Sequence, residues 1–417
     1  MSQDRSSPFR LTRDGWLLFV TRCLRLFGYG LVSVFLVVYL GQTGLSDEQI
    51  GVLLTATLLG DMAISLWLTT RADRLGRRRM LLFGGVLMVF TAVVFVATDN
   101  YWLLLVAATV GVLSPTGNEV GPFLAIEQAA LSQTVADDRR TSIFAWYSLV
   151  GSLATALGAL SGGLITQFAQ NAGATGAGRY VPLFFVYGGV GLVLMLVFAI
   201  LSSATEAPPA HRAESAPKVT LGLHRSRGVV LHLAALFALD AFGGGFVIQS
   251  IVAGWFDRQF RVEPGFLGGI FFGANLLAGA SALAAGRLAK RFGLINTMVF
   301  THLPSNVLLI LVPLMPNLPL AITVLLLRFS ISQMDVPTRQ SYTMAVVSPD
   351  ERSAASGVTG VARSIGAAVS PSLAALLLAW PALMSLPFIL AGGIKIVYDL
   401  LLYRSFVAAV PPEDRGK

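Results

Sequence analysis

Apolar runs of about 20 residues recur along this chain from end to end, and a run of that kind has few ways to fold. A helix of roughly 20 residues crosses a ~30 Å hydrocarbon layer, and inside that layer only a helix satisfies each backbone N–H and C=O within its own segment. Twelve crossings are expected, at about 16–41, 46–70, 79–98, 102–131, 140–168, 180–203, 228–254, 263–289, 294–313, 318–346, 353–379 and 383–405. Of the 417 residues 55% are hydrophobic and 12% charged, with mean hydropathy +0.72. That composition excludes a water-soluble core and reads as an all-α membrane protein.

The runs are duplicated. Phe27-Gly28-Tyr29-Gly30-Leu31-Val32 and Phe242-Gly243-Gly244-Gly245-Phe246-Val247 lie 215 residues apart, each deep in an apolar run. The pattern predicts two pseudo-symmetric six-helix bundles, residues 1–203 and 228–417. Between them, 204–227 form a polar linker with Pro208, Pro209 and Pro217.

A net charge of +8 would suggest nucleic acid in a soluble protein. Here the basic residues fall in alternate loops: Arg5, Arg10 and Arg13, then Arg71 to Arg79, Arg139 and Arg140, the linker, Arg287 to Arg291, Arg352, and Arg404 to Lys417. The intervening loops hold only Arg179, Arg258 and Arg261. This asymmetry places both ends in the cytoplasm, and the expected location is the inner (cytoplasmic) cell membrane. The expected partners are lipid and a small solute, without nucleic acid, and the chain is expected to be a monomer.

Between the second and third runs stands Arg71-Ala72-Asp73-Arg74-Leu75-Gly76-Arg77-Arg78-Arg79, and between the eighth and ninth Gly286-Arg287-Leu288-Ala289-Lys290-Arg291-Phe292-Gly293. Gly76 and Gly293 suit tight turns between antiparallel spans. At these residues the chain resembles the major facilitator superfamily, whose signature loop has the form G-x-L-A-D-R-x-G-R-R; Thr69 stands where the first glycine usually is. The resemblance covers nearly all of the chain. It implies a transporter whose two bundles rock about a cavity lined by helices 1, 4, 7 and 10. It also implies a gate on the cytoplasmic side. Asp73, with Arg74, Gly76 and Arg77, would dock near the helix 11 start, Ser348-Pro349-Asp350-Glu351-Arg352, and Lys290, Arg291 and Gly293 form the second copy. In the fifth run, Gly158, Gly162 and Gly163 resemble the family's antiporter motif G-P-x-x-G-G, with Ala159 in place of proline. That implies close packing between the halves and favours export.

Charges within the runs carry the chemistry, since each costs several kcal/mol unless it pairs or borders water. Repeat alignment sets Arg25 against Asp240 and Glu127 against Arg339, with opposite signs each time. Helical spacing puts Arg22, Arg25, Tyr29 and Ser33 on one stripe, and Arg328, Asp335 and Arg339 on another. On an unbroken helix, Glu119 and Glu127 would lie about 80° apart. Arg25 with Glu119 or Glu127, and Asp240 with Arg328 or Arg339, are alternatively static pairs that help assembly. Arg328 also matches the family's helix 10 arginine, and Thr116 occupies the matching place in helix 4. Asp61, with no partner near in sequence, is a proton-site candidate alongside Glu119, Glu127 and Asp240. Lys395 and Asp399 have the spacing of an intrahelical pair.

The chain has no G-x-x-x-x-G-K-[ST] loop to hold a nucleotide, one cysteine, and four histidines too scattered for a metal site by spacing. An enzyme is not expected, and no cofactor beyond a proton or other ion gradient. The favoured reading is proton-coupled export of a small organic solute by alternating access. The alternative is uptake or exchange of an anionic metabolite on Arg25, Arg328 and Arg339, and the third a polytopic membrane protein that transports nothing.

Overall fold

A computed structural model describes residues 11–119, 121, 123–134, 140–206, 225–348 and 351–406. Part of the expected gate, the side chains of Asp73 and Arg74 together with residues 349–350, lies outside the described residues, as does most of the linker. The first half contains α1 (Arg13–Ser33), α2 (Leu36–Gln42), α3 (Asp47–Leu75), α4 (Arg77–Ala97), α5 (Tyr101–Val110), α6 (Phe123–Thr134), α7 (Arg140–Asn171) and α8 (Val181–Ala199). The second contains α9 (Arg227–Gly245), α10 (Gln249–Phe260), α11 (Pro264–Phe292), α12 (Leu294–Leu311), α13 (Leu318–Phe329), α14 (Asp335–Val346), α15 (Arg352–Leu378) and α16 (Leu386–Phe406). Among the described residues, ten helical segments are long and apolar enough to cross a membrane. The remaining two crossings are made by short pairs, α5 with α6 and α13 with α14, giving twelve.

Four of the twelve expected runs are therefore interrupted, and at repeat-related places. The first breaks after Ser33 and the seventh after Gly245; the fourth opens between Val110 and Phe123, the tenth between Phe329 and Asp335. The cause is local. Gly243 to Gly245 weaken the helix ahead of the seventh break, Gly117 and Gly121 adopt φ of +71° and +78° in the fourth, and Pro337 is tolerated because it sits in the first turn of α14. Non-helical backbone at this depth needs partners inside the protein. It finds some across the halves: the Ser250 N–H donates to the Pro115 carbonyl at 3.2 Å, and the Gln249 amide to the Ser33 hydroxyl at 2.7 Å.

The two basic loops are tighter than the sequence suggests. Helix α3 runs to Leu75 and α4 starts at Arg77, so Gly76 alone makes the turn, at φ +103°. Gly293 does the same between α11 and α12 at φ +83°. The Arg77 and Arg78 N–H groups donate to the Glu206 carboxylate at 2.8 and 3.2 Å, and the Arg77 guanidinium reaches the Thr205 carbonyl at 3.3 Å. Arg77 thus ties the chain after α8 to its own half rather than reaching the other. Lys290 and Arg291 are exposed.

Joining of the halves is concentrated at the end of the bundle opposite these turns. The Arg258 guanidinium at the end of α10 meets Asp47 at the start of α3 and donates to the Leu378 carbonyl at 3.2 Å. Thr55 and Ser372 pair their hydroxyls at 2.8 Å. Gly163 and Gly268 bring α7 and α11 so close that a methyl on Gly163 would stand 2.6 Å from the Pro264 carbonyl. Side-chain hydrogen bonds between the halves are found at that end and mid-span, among them Thr55 with Ser372, Gln249 with Ser33 and Gln167 with the Gly265 N–H. Trp102 and Trp380, 69% and 66% exposed at the closed end, and Trp16, 52% exposed at the other, suit the two water interfaces.

A side chain at φ near +83° is strained by about 1–2 kcal/mol. Gly293→Val should therefore lower the thermal midpoint of detergent-solubilised protein by a few degrees. Gly286→Ala, where an added methyl meets nothing, should leave it within error.

Candidate functional site

Thr21, Arg22 and Arg25 emerge on one face of α1, and the break in the fourth crossing frees Glu119 from helical direction so that it turns back towards them. Arg25 Nε donates to Glu119 at 2.6 Å, while its two terminal nitrogens grip both oxygens of Glu127 at 2.8 Å each. Glu127 also accepts from Thr21 at 2.8 Å and from the Tyr147 hydroxyl. Arg22 donates to Glu119 at 2.8 Å and to the Tyr147 carbonyl at 2.7 Å. Arg25 and Glu127 are wholly buried. Two cations answer two anions, with bidentate geometry and further hydrogen bonds, which is what lets a pair survive removal from water.

The second half answers with inverted signs. Asp240 on α9 receives Lys395 Nζ at 2.5 Å, Arg339 at 3.1 Å and Arg363 at 3.5 Å, and Arg339 also binds Asp335 at 2.9 Å. Where the first half pairs arginine on crossing 1 with glutamate on crossing 4, the second pairs aspartate on crossing 7 with arginine on crossing 10, at aligned positions. Behind Asp240 stands His302. Its Nδ1 is 2.8 Å from Asp399, and Asn306 donates to the same carboxylate at 3.0 Å.

Between the halves lies a cavity of about 520 Å³, within the range of small-molecule sites. Glu119, Arg22 and Thr116 border it from the first half; Asp240, Asp335, Arg339, Arg363, Lys395, His302 and Arg328 from the second. Among the described lining residues, five basic side chains face three carboxylates. The excess is localised. Arg328 has no carboxylate within 4.0 Å among the described residues, its buried Nε lacks a hydrogen-bond partner, and so does NH1 of Arg363. Gln249 and Asn275, linked at 3.0 Å, add a neutral polar rail.

Several expectations change. Arg25 and Glu127 lie one layer behind the cavity, sealed by Glu119, so of the four aligned charges only Asp240 and Arg339 border it. Arg25 is consequently unavailable to an anion. Tyr29 is buried against Tyr187, ring centres 6.5 Å apart, one turn on from Arg25 along the same sealed face of α1. Asp61 is outside the lining: it accepts the Gly121 N–H at 2.5 Å and the Ser65 hydroxyl at 3.3 Å, pinning the fourth break. Glu119 and Glu127, expected on different faces of one helix, converge on Arg25 because Glu119 is not helical. Arg25 pairs with both glutamates and Asp240 with Arg339, while Arg328 stays apart. Lys395 and Asp399 do not pair with each other; they serve Asp240 and His302. Gly158 and Gly162 pack on α1, near the Phe27 and Leu31 carbonyls, and Gly163 alone joins the halves. His302 had no metal-ligand spacing to recommend it. Its available signal was Asn306 one turn on, in an otherwise apolar span that packs beside Lys395 and Asp399.

The Major Facilitator Superfamily profile matches residues 18–371 of the chain. This protein belongs to the major facilitator superfamily. It is 31% identical over 424 residues to an uncharacterized membrane protein of Saccharomyces cerevisiae, covering 95% of this chain and 94% of that one. Similarity to the quinolone resistance protein NorA of Staphylococcus aureus is 22% over 191 residues, 46% of this chain and 45% of NorA. Among solved structures, the nucleoside transporter NupG superposes with a TM-score of 0.72 at 13% identity over 95% of this chain and 99% of NupG. A bacterial homologue of the lysosomal transporter Spinster, inward-facing and occupied, gives 0.71 at 17% identity over 97% and 98%. As a superfamily member the chain is a transporter rather than an enzyme, a multi-pass membrane protein that carries small molecules.

Removing one partner of a sealed ion pair leaves a charge uncompensated, at a cost of about 3–5 kcal/mol. Arg25→Gln and Glu127→Gln should each markedly lower the thermal midpoint in detergent, and the double variant should recover part of the loss. A double variant less stable than both singles would show that the pair is not the unit of stability.

Proposed function

We propose that this protein is a secondary carrier of small organic anions working by alternating access. The observation that carries the reading is the pair of guanidinium groups, Arg328 and Arg363, that border the cavity with buried nitrogens lacking hydrogen-bond partners. A buried cation is costly where its counter-charge is absent within 4.0 Å among the described residues, as for Arg328, or shared, as for Arg363 with Asp240 at 3.5 Å, and an anionic group on the cargo supplies what the protein lacks. Guanidinium suits this task because its planar donors match carboxylate or phosphate. Other basic lining groups are occupied: Arg22 by Glu119, Arg339 by Asp240 and Asp335, and Lys395 by Asp240. Gln249 and Asn275 offer hydrogen bonds to a polar remainder.

Alternating access is supported by the way the halves meet. With the basic turns on the cytoplasmic side, the cavity opens inward, and the contacts of Arg258, Thr55 and Gly163 form the outer closure. Rocking would break these contacts and bring the turns at Gly76 and Gly293 together. The relatives named above handle quinolones and nucleosides, so the cargo is read from the cavity rather than from them. Export, suggested by the glycine motif, now rests on Gly163 alone, and direction is a readout of the test.

Purified protein in liposomes should move labelled anions from a panel of succinate, citrate, benzoate and glucose 6-phosphate, and should not move choline or glucose. Each charge-assisted hydrogen bond is worth about 1.5–3 kcal/mol, so Arg328→Gln and Arg363→Gln should each weaken apparent affinity by about 10- to 100-fold. Transport of the neutral or cationic probes alone would sink the reading.

The outer latch gives a separate check. The Arg258 and Asp47 side chains are 29% and 23% exposed, and such a pair contributes up to about 1 kcal/mol. Asp47→Ala should shift the inward-to-outward ratio by a few-fold. In a Cys23→Ser background, a cysteine at Ser33 should then be labelled faster from the outer side.

A further inference from the structure

His302 lies on α12 and His302, Lys395 and Asp399 belong to crossings 9 and 12, outside the four crossings expected to hold the chemistry. The imidazole is placed between two carboxylates: Nδ1 is 2.8 Å from Asp399 and Nε2 is 3.8 Å from Asp240. Nδ1 is engaged by Asp399 and, at 3.2 Å, by the Asn306 amide, which leaves Nε2 as the ring nitrogen turned away from those contacts. Nε2 faces Asp240, and both residues border the cavity, so a proton has an aqueous route to this nitrogen.

Charge decides when it is taken up. From crossing 7 the group is faced by Asp240; from crossing 10 by Asp335 and Arg339; from crossing 11 by Arg363; from crossing 12 by Lys395, Asp399 and the Tyr398 ring, its centre 6.0 Å from the imidazole. With Arg328, the neighbouring cations outnumber the carboxylates while the cavity is empty. An anion held by Arg328 and Arg363 reverses the balance. It also draws Arg363 from its 3.5 Å contact with Asp240, leaving that carboxylate freer to interact with a positive imidazole.

We propose that His302 is the proton carrier of this transporter, taking a proton from the cavity water at Nε2 when an anion occupies Arg328 and Arg363, so that anion and proton cross together. The inference rests on the anion reading above. Linkage makes the effect reciprocal: a protonated His302 tightens anion binding by the same factor that the anion favours the proton. Asp399 and Asn306 are positioning residues, holding the ring so that Nε2 points to Asp240.

The test uses the full-length protein in liposomes, with the anion of the panel that wild type moves fastest. Two measurements are made on each variant: accumulation driven by an imposed pH gradient, with a lumenal pH dye, and counterflow without a gradient. In wild type, proton and anion should enter together, and His302→Gln should lower the ratio of accumulation to counterflow by about tenfold or more. Asp399→Asn, which keeps the ring but loosens it, should lower the same ratio by a smaller factor. An undiminished ratio in His302→Gln, with normal dye response, overturns the proposal. The pH dependence of thermal stability in detergent, measured without any anion, separates the two readings. If none of the panel moves but wild type has a pH-dependent step that His302→Gln lacks, the anion reading fails and the proton site stands. If neither movement nor step is found, both fail. Should His302→Gln not fold, Asp399→Asn alone decides, and an unchanged ratio there overturns the proposal.

Discussion

A charge inside a lipid-embedded bundle must be answered by another charge or by water, and this molecule is arranged around that requirement. In the first half it is met internally: Arg22 and Arg25 face Glu119 and Glu127, and Tyr147 and Thr21 supply the remaining hydrogen bonds. In the second half Asp240 is shared among Lys395, Arg339 and Arg363, and Arg328 is left over. Repeat-aligned positions thus carry opposite signs in the two halves. One set forms a sealed strut, the other the wall of a cavity.

Broken helices make this arrangement possible. A continuous fourth crossing would direct Glu119 and Glu127 to different sides, and only the irregular stretch after Val110 lets both reach Arg25. The break is itself costly in lipid and is held by Asp61, whose carboxylate binds the Gly121 N–H. At the seventh break, Ser250 and Gln249 reach the Pro115 carbonyl and Ser33 of the other half. The interruptions of the two halves support one another at mid-span, beside the cavity. The contact region therefore carries both the irregular backbone and the site, and rocking about it can alter the site without melting helices.

Much of the fold was legible in the sequence because its strongest rules are coarse. Apolar run length, the repeat offset and the glycine turns at Gly76 and Gly293 each follow from lipid thickness or from backbone sterics, and each survives small errors in position. The site was legible only in part. Asp240, Arg328, Asp335, Arg339 and Glu119 were found because intramembrane charge is conspicuous. Arg25 and Glu127 were equally conspicuous, yet nothing in one dimension separates a charge that borders water from one sealed behind a neighbour. Lys395 and Asp399 misled for a related reason: spacing of four permits an intrahelical pair, and only packing against α9 and α12 shows that each has a stronger partner elsewhere. Tyr29 failed for the same reason as Arg25: it lies one turn further along the same sealed face of α1.

The unequal halves have a consequence for the cycle. Closing the cavity removes water from whatever charges line it, and the penalty falls on those without partners. The first-half network is internally paired, and only its outer members, Arg22 and Glu119, border the cavity. With the cavity empty, Arg328 and part of Arg363 would be dehydrated alone. On the anion reading proposed above, occlusion of the empty form would be opposed by several kcal/mol, whereas occlusion around an anion would not. A barrier of that kind suppresses movement without cargo, and slippage without cargo is what dissipates a gradient. Tight coupling would thus need no separate lock: it follows from leaving one cation unanswered in a place that must be sealed before it can be reopened on the other side.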